Sequence, residues 1–287
     1  MRLTSTRAAL AAAVVSVTSF AFTSAAQAVT VFATTPTNQL ISFDSATPGT
    51  LTSGLAITGL AAGEFVKGID FRPATNELYA LGSFGNIYTL NTTTAAATFK
   101  SAISGAVLNG AEFGIDFNPV PDRLRVVSNS GQNLRINVDT GVAIVDGAIN
   151  PVGTGLFAAG YINNFAGAGT TTLYTIDGSA DVLNTQNPPN NGTQALVGSL
   201  GLNVSAYGDL DIITPAVGSD VAYAALNPAG SLISNFYTIN LSTGAATLVG
   251  QIDGGILVNG IAVVIPEPAS LSLLGLAAAA LVRRRRA

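Results

Sequence analysis

Apolar and polar residues alternate along this chain in short runs that recur at a fixed distance. In Lys67-Gly68-Ile69-Asp70-Phe71-Arg72-Pro73, Ile and Phe alternate with Gly and Asp. Phe113-Gly114-Ile115-Asp116-Phe117-Asn118-Pro119 repeats the pattern 46 positions later. A period of two places Ile and Phe on one face of a strand and Asp on the other. Each run is followed by a polar turn and a second run, Leu78–Leu81 and Leu124–Val127, then by a third, Ile87–Asn91 and Leu134–Val138. A Thr-rich or Thr-Gly turn and a short fourth run complete the unit. Fainter copies follow. Tyr161-Ile162 leads to Leu173–Ile176, and Asp209–Ile213 leads to Val221–Ala224, Phe236–Asn240 and the turn and strand of Ser242–Val249. Four β-runs in roughly 40–50 residues are the signature of a propeller blade.

Counting the runs predicts an all-β fold, a five-bladed β-propeller of four-stranded blades. Complete units begin near Gly68, Gly114, Gly160 and Asp209. Three strands remain before the first unit, at Val29–Thr34, Leu40–Phe43 and Leu55–Thr58, and one remains at the end, Gly260–Ile265. Together these make a fifth blade, so the N- and C-terminal strands pair in one sheet and close the ring. Closure shields strand edges that would otherwise pair with other chains.

The two ends read as addresses and not as parts of the fold. Arg2 and Arg7 precede the apolar Ala8–Val17 stretch, and Ala26-Gln27-Ala28 is a small-x-small cleavage site, so residues 1–28 read as a secretory signal peptide cut after Ala28. At the other end, residues 266–287 join Pro266-Glu267-Pro268 to the apolar Ala269–Val282 and the block Arg283, Arg284, Arg285, Arg286. This tail resembles the PEP-CTERM sorting signal of Gram-negative bacteria. The resemblance implies an exosortase-type membrane transpeptidase as processing partner, with transient inner-membrane anchoring through the apolar stretch. Fourteen apolar residues are short for a transmembrane helix, and the arginines follow the positive-inside rule. The expected destination is the cell surface or the extracellular space, and the domain between the ends is residues 29–265.

Composition then narrows the function. Six of the twelve basic residues and one of the sixteen acids lie in the two end segments, so the body keeps six basic and fifteen acidic side chains. A body with a charge near −9 lacks the basic clusters that nucleic acid requires. The chain has neither Cys nor His. Disulfides, Ser-His-Asp and Cys-His catalysis, and zinc held by His or Cys are thereby excluded.

The run from Gly114 to Gly141, GIDFNPVPDRLRVVSNSGQNLRINVDTG, resembles the hallmark of a bacterial family known only as a domain of unknown function (4394). The resemblance extends from about Val31 to Val263 and brings no activity with it. Its matching residues are Asp116, Asn118, Pro119, Asp122, Arg123, Arg125, Asn129, Asn133, Arg135 and Asp139.

Several of these could carry chemistry. Arg123 and Arg125 share a strand face, and Arg135 on the next strand falls beside one of them. Arg123, Arg125 and Arg135 with Asp116, Asp122 and Asp139 make either a clamp for a small anion or an Arg–Asp network fixing strand register. Asp70 and Asp116, in the innermost strands, either cap the following turn or line the central channel, where carboxylates could hold a cation. Asp177-Gly178-Ser179-Ala180-Asp181 loosely resembles a calcium loop, with Asp177 and Asp181 as ligands and Ca2+ the one cofactor considered. Asn187–Gly192 reads as a surface turn. The favoured function is a non-enzymatic binding or structural propeller associated with exopolysaccharide or other matrix components. The alternative is a carboxylate-dependent glycan hydrolase or lyase.

Overall fold

A computed structural model describes residues 28–151 and 155–264. The basic and apolar parts of the signal peptide, Ala26, the Pro266-Glu267-Pro268 triplet, the apolar tail and the four arginines lie outside the described residues. No helix within them is long and apolar enough to cross a membrane.

The chain builds five four-stranded antiparallel sheets arranged as a five-bladed β-propeller. β1 (Thr30–Thr34), β2 (Gln39–Asp44) and β3 (Leu51–Ala56) belong to the first blade. β4 (Val66–Arg72), β5 (Glu77–Gly82), β6 (Asn86–Leu90) and β7 (Ala97–Ala102) form the second. The third is β8 (Phe113–Asn118), β9 (Arg123–Ser128), β10 (Asn133–Ile136) and β11 (Ala143–Val145). The fourth is β12 (Leu156–Tyr161), β13 (Leu173–Asp177), β14 (Val182–Gln186) and β15 (Gln194–Ser199). β16 (Val204–Ala216), β17 (Ser219–Pro228), β18 (Asn235–Ile239) and β19 (Ala246–Gln251) make the fifth. β20 (Gly260–Val263) returns to the first blade as its innermost strand, paired with β1 from Val31↔Val263 to Thr34↔Gly260.

Burial explains which strands the alternation reveals. All six residues of β8 and all six of β12 are buried, because an innermost strand has a blade on either side. Aromatic rings lock neighbouring blades together. Phe32 meets Phe71 edge-on, as do Tyr79 and Phe117, and Phe43 and Phe236, with centroids 5.9, 5.2 and 5.2 Å apart. The outermost strands are mostly exposed and carry Thr, Ser and Lys, so their pattern is faint.

Two boundaries differ from the sequence reading. The outer strand of the first blade is Leu51–Ala56 and not Leu55–Thr58. Its Thr52 hydroxyl bonds the Ser42 hydroxyl at 2.8 Å, while Ile57 turns back to the Asn38 carbonyl and Thr58 bridges to Ala96 of the next blade. The fourth blade opens at Leu156, four residues before Gly160. Gly160 pairs with Tyr174 as Asp116 pairs with Arg125 and Asp70 with Tyr79. Ala158, and not Gly160, therefore stands where Gly68 and Gly114 stand. A shorter path between blades shifts the repeat by two residues, so the Gly at the 46-residue interval fills the position of Asp70 and Asp116.

The innermost strands approach closely enough to need glycine. A Cβ added at Gly114 would lie 2.5 Å from the carbonyl carbon of Ala158 and 2.6 Å from the Ala159 nitrogen, both backbone atoms. At Gly68 the nearest atom is the Ile115 side chain, 2.9 Å away, which can turn aside. Gly114→Ala is expected to cost about 1–3 kcal/mol or more by overpacking, and Gly68→Ala less. Urea denaturation of both variants checks this; equal midpoints would show that the third and fourth blades have room between them.

Candidate functional site

Each innermost strand begins at one rim of the ring and ends at the other, so corresponding side chains meet around the axis. The position of Asp70 in β4 recurs as Asp116 in β8, Gly160 in β12, Asp211 in β16 and Ala262 in β20. Their partners on the second strands are Tyr79, Arg125, Tyr174, Tyr223 and Phe32. One oxygen from each of Asp70, Asp116 and Asp211 lies within 4.8 Å of the others, and all three residues are buried. Asp209, two residues before Asp211 and on the same strand face, adds a fourth buried carboxylate.

Backbone N–H groups of the following blade hold these side chains. The Phe117 N–H donates to Asp70 Oδ2 at 2.6 Å, the Val263 N–H to Asp211 Oδ2 at 2.5 Å and the Ile261 N–H to Asp209 Oδ2 at 3.1 Å. The Tyr161 N–H of the fourth blade lies beside Asp116 and favours its charged form. Asp70, Asp209 and Asp211 thus tie their own strands to the next. Asp116 Oδ1 and Asp211 Oδ1 are buried with no hydrogen-bond partner.

Burial pushes all four carboxyls above the usual carboxylate range, because the charged form loses its water. For Asp70 and Asp116 the charges of neighbouring aspartates raise it further. Asp211 is pushed up to about 7, with the Val263 and Ile212 N–H groups opposing the burial. Among the described residues no ion pair reaches this cluster. Lys67 and Arg72, at either end of β4, turn away to the Ala111 carbonyl and to Asp122 with Asp139.

The arginines of the Gly114–Gly141 run occupy a second constellation. Arg125 is fully buried. It donates from Nε to the Tyr161 hydroxyl (3.1 Å), from Nη1 to Asn133 Oδ1 and Asp146 Oδ2 (both 2.7 Å), and from Nη2 to Asn190 Oδ1 (2.7 Å). Four of its five N–H donors are thereby engaged. Arg135, directly across the ladder from Arg125, clasps both oxygens of Asp146 at 2.7 and 2.9 Å. Arg123 donates to the carbonyls of Pro121 and Asp122 and stays outside the network. Asp122 and Asp139 belong instead to Arg72, with Lys100 2.9 Å from Asp139. Those hydrogen bonds, first Arg72 and then Lys100, hold the Asp139 carboxyl below its ordinary range. The Asn187–Gly192 segment is more than a surface turn, since it delivers Asn190 to Arg125.

Asp177 and Asp181 bracket the β13–β14 turn. Asp177 Oδ1 accepts from the Ser179 N–H (2.8 Å) and hydroxyl (2.6 Å), and Asp181 Oδ1 accepts from the Val204 N–H (2.8 Å). The one group of three acidic side chains that converges among the described residues is the axial one. Sequence reasoning left Asp70 and Asp116 between a turn cap and the channel, where the structure places them, and missed Asp209 and Asp211. An Asp-x-Asp in the middle of an innermost strand was the available signal.

Comparison with known proteins adds a family and an address. A family model described as a domain of unknown function (DUF4394) matches residues 39–262, and one described as the PEP-CTERM protein-sorting motif matches residues 264–286. No curated protein matches. Among solved structures, a chain of a nidogen/laminin complex is similar at 12% identity and a TM-score of 0.49, over 83% of this chain and 99% of that one. A protein from Lactobacillus plantarum is similar at 14% identity and 0.39, over 82% and 71%. The computationally designed Ika8 protein is similar at 13% and 0.36, over 82% and 63%. These likenesses are too distant to transfer any property.

Proposed function

Because this chain belongs to the DUF4394 family of domains of unknown function and carries a PEP-CTERM sorting motif behind its ring, we propose that it is an exported envelope propeller with a binding or structural role, associated with exopolysaccharide. The motif implies processing by an exosortase-type enzyme and export to the cell surface; a transient stay in the inner membrane beforehand is part of the reading proposed. What supports a binding role is where the charged groups go. Arg72 reaches Asp122 of the third blade, and Arg125 reaches Tyr161 and Asn190 of the fourth. Arg135 clasps Asp146 just past the outer strand of its own blade, and Asp70 accepts from the next blade's Phe117 N–H. A surface cleft of about 500 Å³ beside Phe32 and Phe71 has one carboxylate in its lining, Glu77. Glycoside hydrolysis uses two, about 5–9.5 Å apart.

The two rims differ. Residues 28 and 264 both sit at the rim where the innermost strands end, since β20 and β1 are antiparallel neighbours. The opposite rim carries Phe65, just before β4, and Phe84, in the β5–β6 turn; both are exposed and the Ser83 N–H joins them by donating to the Phe65 carbonyl at 2.7 Å. Aromatic faces in this setting suit stacking against sugar rings. The protein is expected to be retained on immobilised exopolysaccharide, and the Phe65→Ala/Phe84→Ala variant to be retained about tenfold less, a loss of about 1.4 kcal/mol. Absence of retention for the unaltered protein, with and without calcium, overturns the reading.

A further inference from the structure

We propose that the axis of the ring is a divalent-cation site in which Asp70, Asp116 and Asp211 are the ligands and calcium is the ion bound. Three observations carry it. The first is convergence. The three carboxylates come from innermost strands of three different blades, and their ligand oxygens lie within 4.8 Å of one another. Oxygens this close can share one hard cation, and calcium takes such ligands at about 2.3–2.6 Å.

The second is aim. Asp211 Oδ2 accepts from the Val263 N–H, and Asp116 lies beside the Tyr161 N–H of the next blade. The remaining Oδ1 of each is buried and unpartnered. A buried acceptor without a donor costs about 1–3 kcal/mol, more when charged, and both belong to residues of the converging set. The third is charge. Three neighbouring aspartates, with Asp209 close behind, are 1–2% exposed, and the two basic residues of β4 point elsewhere. The innermost strands β8, β12, β16 and β20 contain no Lys or Arg at all. A divalent cation neutralises what the protein leaves uncompensated.

The donor set selects the ion. Only oxygen is on offer, because the chain has no His or Cys, and oxygen ligands favour a hard cation. An exported protein meets calcium at concentrations where even a modest site fills; extracellular calcium modules bind at about 10⁻⁴–10⁻³ M. The ion would join the second, third and fifth blades through their innermost strands, and Asp211 would extend its hold to β20. It is a structural ion at the hub, separate from any sugar contact at the rim.

Metal analysis of the full chain, purified in detergent and dialysed to equilibrium against about 1 mM calcium, is expected to find one calcium per chain above the bath. After chelation, adding calcium to a hundredfold excess over Kd is expected to raise Tm by roughly 5–10 °C. Asp116→Asn and Asp211→Asn each lose the calcium and the Tm response. Each metal-free variant should melt no lower than the metal-free parent, because an amide removes a buried charge. Asp177→Asn, on the β13–β14 turn, keeps both. The proposal is overturned if the parent binds no calcium and shows no response to it, if both axial variants retain calcium, or if Asp177→Asn loses it. A preference for magnesium or manganese over calcium overturns the choice of ion.

Discussion

A chain ending at Asn259 is expected to lose cooperative folding, while a chain ending at Val264 melts like the full protein. The four residues between these ends are β20, all buried. Ile261 and Val263 each remove an aliphatic side chain from water, worth about 1.5–3 kcal/mol apiece. The ladder with β1 disappears with them. So do the Ile261 and Val263 N–H donors, leaving Asp209 Oδ2 and Asp211 Oδ2 buried without partners. The loss comes to about 5 kcal/mol or more, against about 5–15 kcal/mol for the whole stability of a domain. An opened ring also presents β1 as an unpaired edge, a template for association. Circular dichroism melts and size-exclusion profiles of the two truncations decide the matter. Superimposable melts would mean that ring closure contributes little.

The second large effect is expected at Arg125. Arg125→Met should lower stability by about 3–5 kcal/mol, because removing one partner of a buried pair strands the other. Asp146 keeps Arg135, but Asn133, Asn190 and the Tyr161 hydroxyl lose a charged donor together. Arg125→Lys should be nearly as damaging, since an ammonium cannot serve four acceptors fixed around a planar fork. A double-mutant cycle with Asp146→Asn, read by urea denaturation, should show clear non-additivity. Additive losses would mean that Arg125 acts through packing alone. In the other four blades its position is held by Phe32, Tyr79, Tyr174 and Tyr223. Arg125 therefore departs from the ring's own repeat.

The innermost strands were legible because Ile69 and Phe71, or Ile115 and Phe117, must face a neighbouring blade whatever the outer strands do. Blade number and closure followed from counting such strands. Outer strands such as β3 and the three-residue β11 were harder to place for the opposite reason: they lie largely in solvent and owe their place to the ladder. Arg125 stood out in the sequence, but its partners did not, since Asp146 and Asn190 arrive from a connection and from the next blade. The axial cluster was half visible. Asp70 and Asp116 announced themselves by repetition, whereas Asp211 lies 95 residues beyond Asp116 and reaches it only because the ring closes.

Closure by β20 also sets how the molecule bears load. A pull entering at Val264 acts along the β20 axis, while the ladder bonds to β1 run across it. The bonds are strained in shear, all at once, and the N–H groups of Ile261 and Val263 resist with them from the other side through Asp209 and Asp211. A tether through this end draws on the hub of the ring and not on its edge, so the last strand is both the clasp and the point best able to withstand drag.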